Sequence, residues 1–223
     1  MAIEIFWGSG SPYSWRVLLA LEVKGLPYQS HLLEMSKRQH KTPEFLAMNP
    51  RGEVPVLRDG PVVVHESIAI LAYLERQYPE VPLFGRTPAE AAAIWQEVMQ
   101  AALHVDRFDD FVLPMYYGEG VAKEAQVRAA LPNIQAELDR LESALLRQAT
   151  AGGWLATAAL SAADITVYPM VRSLMRAAEK PDAARFDHGL VPMSQRRPAV
   201  AAWMARVESL PGYDRTFPPH WRR

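Results

Sequence analysis

The segment GSGSPYSWRV, residues 8–17, leads an apolar run into what reads as a helix N-terminus and sets three hydroxyls, Ser9, Ser11 and Ser14, within about one turn of chain. All three are N-cap residue types, so one reading is structural: one serine caps the helix and the others belong to the loop. The other reading is chemical. A hydroxyl beside a helix N-terminus can donate a hydrogen bond to a bound thiolate, and the macrodipole acts in the same sense. Lowering a thiol from its free pKa of ~8.5 by about two units takes roughly 2.7 kcal/mol of differential stabilisation. One charge-assisted hydrogen bond supplies about 1.5–3 kcal/mol and a helix end about 0.3–1 kcal/mol, so one serine on one helix is sufficient without a base. The chain has no cysteine, so the thiol would belong to a ligand.

Two further clusters suit an extended peptide carrying such a thiol. In NPRGEVPVLRDG, residues 49–60, Pro55 opens a strand where it cannot donate a ladder hydrogen bond. A cis bond after Val54 would turn the backbone and present the N–H and C=O of Val54 for strand addition; an ordinary turn is the alternative. In HESIAILAYLERQY, residues 65–78, Ser67 stands where an N-cap is expected. Capping alone would explain it, yet a hydroxyl and free N–H groups at a helix start also form an anion site, with Glu66 as a counter-charge for an ammonium. His40 and Lys41 could hold a second carboxylate at the far end of such a ligand, or be solvated charges.

Other chemistries lack their residues. Gly8 and Gly10 begin a dinucleotide fingerprint, but Tyr13 stands where a third glycine is needed, and no phosphate-binding loop or Gly-x-Ser-x-Gly elbow exists. The six histidines are scattered singly, which argues against a metal site. A net charge of −1, with 49% hydrophobic and 22% charged residues, describes an ordinary globular chain with no call for nucleic acid. No apolar run has the length of a membrane span and no secretory signal opens the sequence, so a cytoplasmic protein is expected.

The elements that must position these residues fall into two halves. Residues 3–7 read as a buried strand, 14–24 as a helix closed by Gly25, and 27–33 as a second strand. Residues 54–57 and 62–65 flank Asp59-Gly60 as a hairpin, and 68–77 close the half as a helix. The order βαβ, an irregular stretch, then ββα predicts a four-stranded mixed sheet with packed helices, a thioredoxin-like α/β domain over residues 1–78. Residues 79–88, rich in proline, read as a linker, and 89–223 as an all-α helical domain of five or six helices. Apolar periodicity runs from Ile94 through Val112 to Pro114, from Ile134 to Leu145, over 162–178 and over 199–210.

Taken together, these residues resemble the cytosolic glutathione transferase family, most closely its theta and zeta classes. Ser11-x-x-Ser14-Trp15-Arg16-Val17 is similar to the zeta motif that opens on the catalytic serine, which implies that role for Ser11. Gln39-His40-Lys41 with Glu44-Phe45-Leu46 resembles the theta segment that meets the glycine carboxylate of glutathione. Val54-Pro55 matches the family's cis-proline site, and Glu66-Ser67 its γ-glutamyl site. The resemblance implies glutathione as co-substrate, a small hydrophobic electrophile attacked by its thiolate, a homodimer, and a role in detoxification. The electrophile pocket is expected to draw on Tyr13, His104, Phe108, Phe111, Met115 and Tyr116, at least half of which would be plain core. Pro12 and Tyr13 replace the Ser-Cys of the zeta motif, which speaks against maleylacetoacetate-type isomerisation. A glutathione-dependent isomerase or dehalogenase is the alternative among enzymes, and a non-catalytic interaction protein the alternative outside them. Ser161 and Asp164 have capping-box spacing and read as structural, at a cost of about 1 kcal/mol if lost. The tail 212–223 has no counterpart in the family pattern; its aromatics could cover the mouth of the site, but packing on the helical domain is the expectation.

Overall fold

The structure, a computed structural model, describes residues 2–222. Its first half runs β1 (Ile3–Trp7), α1 (Pro12–Val23), β2 (Tyr28–Leu32), two single-turn 3-10 segments, α2 (Pro43–Met48), β3 (Val56–Asp59), β4 (Val62–His65) and α3 (Ser67–Gln77). The strands form one sheet in the order β2-β1-β3-β4. β1 pairs in parallel with β2, Ile3 opposite Tyr28, and antiparallel with β3, Ile5 opposite Leu57. β3 and β4 make the expected hairpin, turning at Gly60 with φ +59°. Ile3, Ile5 and Trp7 point into the core, as the alternation of β1 requires. α1 is buried from Ser14 to Leu21 and packs against α3.

The second half is helical: α4 (Pro88–His104), α5 (Asp109–Tyr116), α6 (Glu124–Gln148), α7 (Ala162–Ala178), α8 (Met193–Arg196) and α9 (Pro198–Glu208), followed by α10 (Tyr213–Thr216). The helix expected to reach Pro114 is broken by a 3-10 segment, Val105–Phe108, and α5 continues through Pro114. α6 begins ten residues before Ile134 and runs through Pro132. α7 is the hub of this unit, burying every residue except Arg172 and Arg176. Its start is fixed by Asp164, fully buried, which accepts from Leu155 N, Ser161 N, Ser161 Oγ and Trp203 Nε1 at 2.9–3.0 Å.

The chain divides into two compact units, Met1–Leu83 with Leu210–Arg223, and Phe84–Ser209. This corrects the expectation for the tail. α10 and the residues after it belong with the sheet unit, because Trp15 on α1 supplies the aromatic surface they need: Tyr213, Phe217 and Trp221 all lie with ring centroids within 6.1 Å of it.

Candidate functional site

Ser11 is the N-cap of α1: its Oγ accepts the N–H of Ser14 at 3.2 Å, and its C=O accepts from Trp15 at 3.0 Å. The two readings of this serine are therefore compatible. Capping uses a lone pair on Oγ and leaves the O–H proton to be donated elsewhere. The other two serines are occupied. Ser14 is fully buried with its Oγ receiving Gly8 N–H at 3.4 Å, and Ser9 Oγ shares a 2.6 Å hydrogen bond with His220 Nδ1.

Ser11 opens onto a cavity of about 600 Å³ built entirely within the first unit. Its lining includes Tyr13, His40, Lys41, Val54, Pro55, Glu66 and Ser67, so seven further residues singled out in the sequence converge on one hollow. α1 and α3 both present their N-termini there, and neither has an acidic residue in its first turn. By contrast, α4 carries Glu90 in a capping box with Thr87. The positive end of α1 thus has no carboxylate of the chain against it and suits an anion.

The Val54-Pro55 bond is cis. The ladder begins only at Val56, so Val54 lies outside it, and among the described residues no hydrogen bond takes up its N–H or C=O. The structure corrects the placement of Ser67. The N-cap of α3 is Glu66, held at φ +70° with no side-chain cap bond, and Ser67 is the first helical residue. It is buried, and its Oγ accepts from Nη1 of Arg16 at 3.5 Å. Like Ser11, it accepts from the protein, a bond that does not use its own O–H proton. At the far end, His40 Nδ1 is buried without a hydrogen-bond partner. Burial, and then the charges of Lys41 and Arg38, hold this imidazole below its ordinary pKa. Lys41 Nζ donates to Arg51 C=O at 2.8 Å.

Three supporting residues were not singled out from sequence. Arg16 is buried between α1 and Ser67. Asn49, also buried, accepts from Arg51 N–H at 3.1 Å and donates to Glu53 C=O at 2.8 Å, fixing the loop that carries Val54. Gly52 has φ +62°, and a Cβ there would lie 2.7 Å from Lys41 Nζ and 2.8 Å from His40 C=O, so glycine alone lets His40 and Lys41 approach. The Asn-Pro-Arg-Gly turn signal was the available clue.

The residues expected to form an electrophile pocket fall in different surroundings within their own units. Only Tyr13 lines the Ser11 cavity. Phe108, Phe111 and Met115 are at most 3% exposed in the core of the helical unit. His104 and Phe108 border a smaller hollow of about 210 Å³ in that unit. Tyr116 is half-buried, its O–H donating to Ser173 C=O at 3.3 Å. No group of three or more metal-ligating side chains occurs among the described residues.

Two family models match the chain: the N-terminal domain of glutathione S-transferase over residues 10–77 and the C-terminal domain over 124–206. Glutathione S-transferase A of Pleuronectes platessa is 33% identical over 226 residues, covering 98% of this chain and 92% of that protein. A Vibrio cholerae serotype O1 protein provisionally named a maleylacetoacetate isomerase is 30% identical over 218 residues, covering 96% and 93%. The crystal structure of a glutathione S-transferase from the Antarctic clam Laternula elliptica superposes with a TM-score of 0.85 at 30% identity, covering all of this chain and 95% of that one.

Proposed function

The chain belongs to the glutathione S-transferase family, and from that premise we propose that Ser11 is the residue through which this glutathione transferase activates its co-substrate. Glutathione supplies the nucleophilic sulfur. The observation that carries the reading is the double use of Ser11, whose Oγ caps α1 while its hydroxyl faces a cavity of about 600 Å³. The chain's groups fit an extended tripeptide with an ammonium and carboxylate at one end and a carboxylate at the other. Glu66 and Ser67 take the zwitterionic end, the peptide groups of Val54 beside Pro55 pair with the central residue, and His40 with Lys41 meet the far carboxylate. The orphaned Nδ1 of His40 supports that last assignment, because a buried ring nitrogen without a partner is costly until a ligand fills the place.

Ser11 then acts by donation alone. Its proton stays on Oγ, the thiol proton leaves to solvent, and the hydrogen bond with the α1 dipole keeps sulfur ionised near neutrality for attack on a small hydrophobic electrophile. Tyr13 borders the reacting end. A glutathione-dependent isomerisation is the second reading, favoured by the likeness to the Vibrio cholerae protein; it uses the same thiolate. The protein is proposed to act as a cytoplasmic homodimer in detoxification. Trp95, Met99 and Leu103, spaced four apart on α4 and 36–57% exposed, support association through that helix.

The test is calorimetric titration with glutathione, followed by thiolate absorbance against pH on the saturated complex. Binding with a depressed thiol pKa sustains the reading. No binding at millimolar glutathione overturns it.

A further inference from the structure

The strongest relationship that the proposed chemistry leaves unused lies between the two ends of the chain. Ser9 Oγ and His220 Nδ1 are 2.6 Å apart across 211 residues of sequence. Gly10, between Ser9 and Ser11, has φ +82°, and a Cβ there would lie 2.8 Å from His220 Cε1 and 3.3 Å from Trp221 Nε1. The tail thus crosses directly over the backbone that precedes Ser11. Trp221 and Phe217 meet Trp15 edge-on at 5.5 and 5.7 Å, and Trp15 Nε1 donates to Thr216 Oγ1 at 2.8 Å. Trp15 is the residue whose N–H is received by Ser11 C=O. At the other end of α1, Arg215 Nε donates to both carboxylate oxygens of Glu22 at 3.0 and 3.1 Å. The tail therefore holds α1 at both ends and ties down its entry loop.

We infer that the segment Phe217–Trp221 is a strap that fixes the Ser9–Ser11 loop, with His220 the positioning residue that aims the Ser11 hydroxyl at sulfur. The inference rests on the role proposed for Ser11. A hydrogen bond to a thiolate weakens steeply once the donor angle opens. The dihedrals of the peptides before Ser11 set that angle. Gly8 is anchored from beneath by Ser14, and Ser9-Gly10 from above by His220. Gly10 is a flexible residue in a left-handed conformation, so without the upper anchor the loop gains freedom where the hydroxyl needs a single direction. His220 does not touch the ligand; it acts through Ser9.

His220 and Ser9 sit at the surface of the unit, so His220→Ala and Ser9→Ala can be made without opening the Trp15 core. Three quantities separate positioning from simple structural support: the pKa of glutathione's thiol in the saturated complex, the Kd of S-methylglutathione, and amide hydrogen exchange over residues 8–11. Both single variants should raise the bound-thiol pKa by about half a unit to one unit, less than loss of the donor itself would. The double variant should raise it no further, because the two residues act through one bond. S-methylglutathione affinity should stay within about twofold, exchange over residues 8–11 should quicken, and His220→Gln, which can still bond Ser9, should restore much of the wild-type pKa. Folded His220→Ala and Ser9→Ala proteins that keep the wild-type bound-thiol pKa overturn the strap and leave Ser11 in place. If wild-type protein shows no depressed thiol, or Ser11→Ala does not raise it, the transferase reading fails first, and the strap with it.

Discussion

Arg16, buried on α1, donates from Nη1 to Oγ of Ser67 at 3.5 Å, joining the helix that Ser11 caps to the helix that begins at Ser67. A guanidinium cannot accept, so the Ser67 proton is not used in this bond, and Ser67 lines the cavity. In the proposed reading the two serines donate in the same sense but to different charges, a carboxylate at Ser67 and the sulfur at Ser11.

That division separates their variants. Ser67→Ala removes a donor to a carboxylate that is charged throughout the working pH range, so glutathione Kd should rise about tenfold, as expected for a charge-assisted hydrogen bond of about 1.5 kcal/mol. The pKa of the bound thiol should not move. Calorimetry with glutathione and thiolate absorbance on the saturated complex check the two halves; a raised thiol pKa in Ser67→Ala would break the assignment.

Ser11→Ala should do the reverse. Glutathione should bind within a few-fold of wild type while its thiol pKa rises by about one to two units, the worth of one hydrogen bond to an anion. The same substitution removes the α1 cap, at about 1 kcal/mol of stability. Urea unfolding measures that loss separately, so a thiol effect in a protein still folded at assay temperature belongs to the chemistry. An unchanged thiolate absorbance removes Ser11 from the mechanism.

Much of this arrangement is legible in the sequence because it is local. The alternation Ile3-Glu4-Ile5, the Asp59-Gly60 turn and the serines before α1 are short-range patterns, and the strands, hairpin and cap follow from them. What was not legible is long-range or violates local preference. Nothing in residues 212–222 says that they return to Trp15, since the partners are some 200 positions apart. Glu66 at φ +70° is a conformation no sequence rule assigns to glutamate, and it shifts the start of α3 by one residue. Apolar periodicity marks this helix only from Ile134, yet α6 begins at Glu124 and runs through Pro132, the lost hydrogen bond being outweighed by burial of Val127, Ala130 and Ile134. Phe108, Phe111 and Met115 illustrate the limit of periodicity, which marks the apolar face of a helix but not whether a ligand or another helix covers it.

His40 gives the cavity a pH response. Burial and the neighbouring cations Lys41 and Arg38 hold its pKa below the ordinary histidine value, so it is neutral at pH 7 in the free protein. A carboxylate placed against it offsets those cations and favours the protonated ring, raising the pKa on binding. Protons are then taken up with the ligand, and affinity must increase as pH falls toward the free-protein pKa. S-methylglutathione, which has no thiol to titrate, should bind more tightly at pH 6 than at pH 8, with proton uptake seen by calorimetry in buffers of different ionisation enthalpy. His40→Ala should flatten the profile; a persisting slope would assign the proton elsewhere.

Asp164 shows that a capping motif can carry more than a cap. Its spacing from Ser161 suggests a loss of about 1 kcal/mol on removal, the usual worth of an N-cap. The structure sets its carboxylate at zero exposure, receiving Leu155 N–H, Ser161 N–H, Ser161 O–H and Trp203 Nε1–H. Those donors come from three places: the loop before α7, its N-cap Ser161 and α9. Asp164→Ala strands them in the core, where each unsatisfied group costs about 1–3 kcal/mol, and partial relaxation brings the total to about 3–5 kcal/mol. Asp164→Asn preserves shape and one acceptor but turns an NH₂ toward a donor, so it should fall between alanine and wild type. Urea unfolding followed by the fluorescence of Trp203 and its neighbours should place the midpoints in that order. A loss near 1 kcal/mol for Asp164→Ala would mean that the Leu155 and Trp203 bonds contribute little.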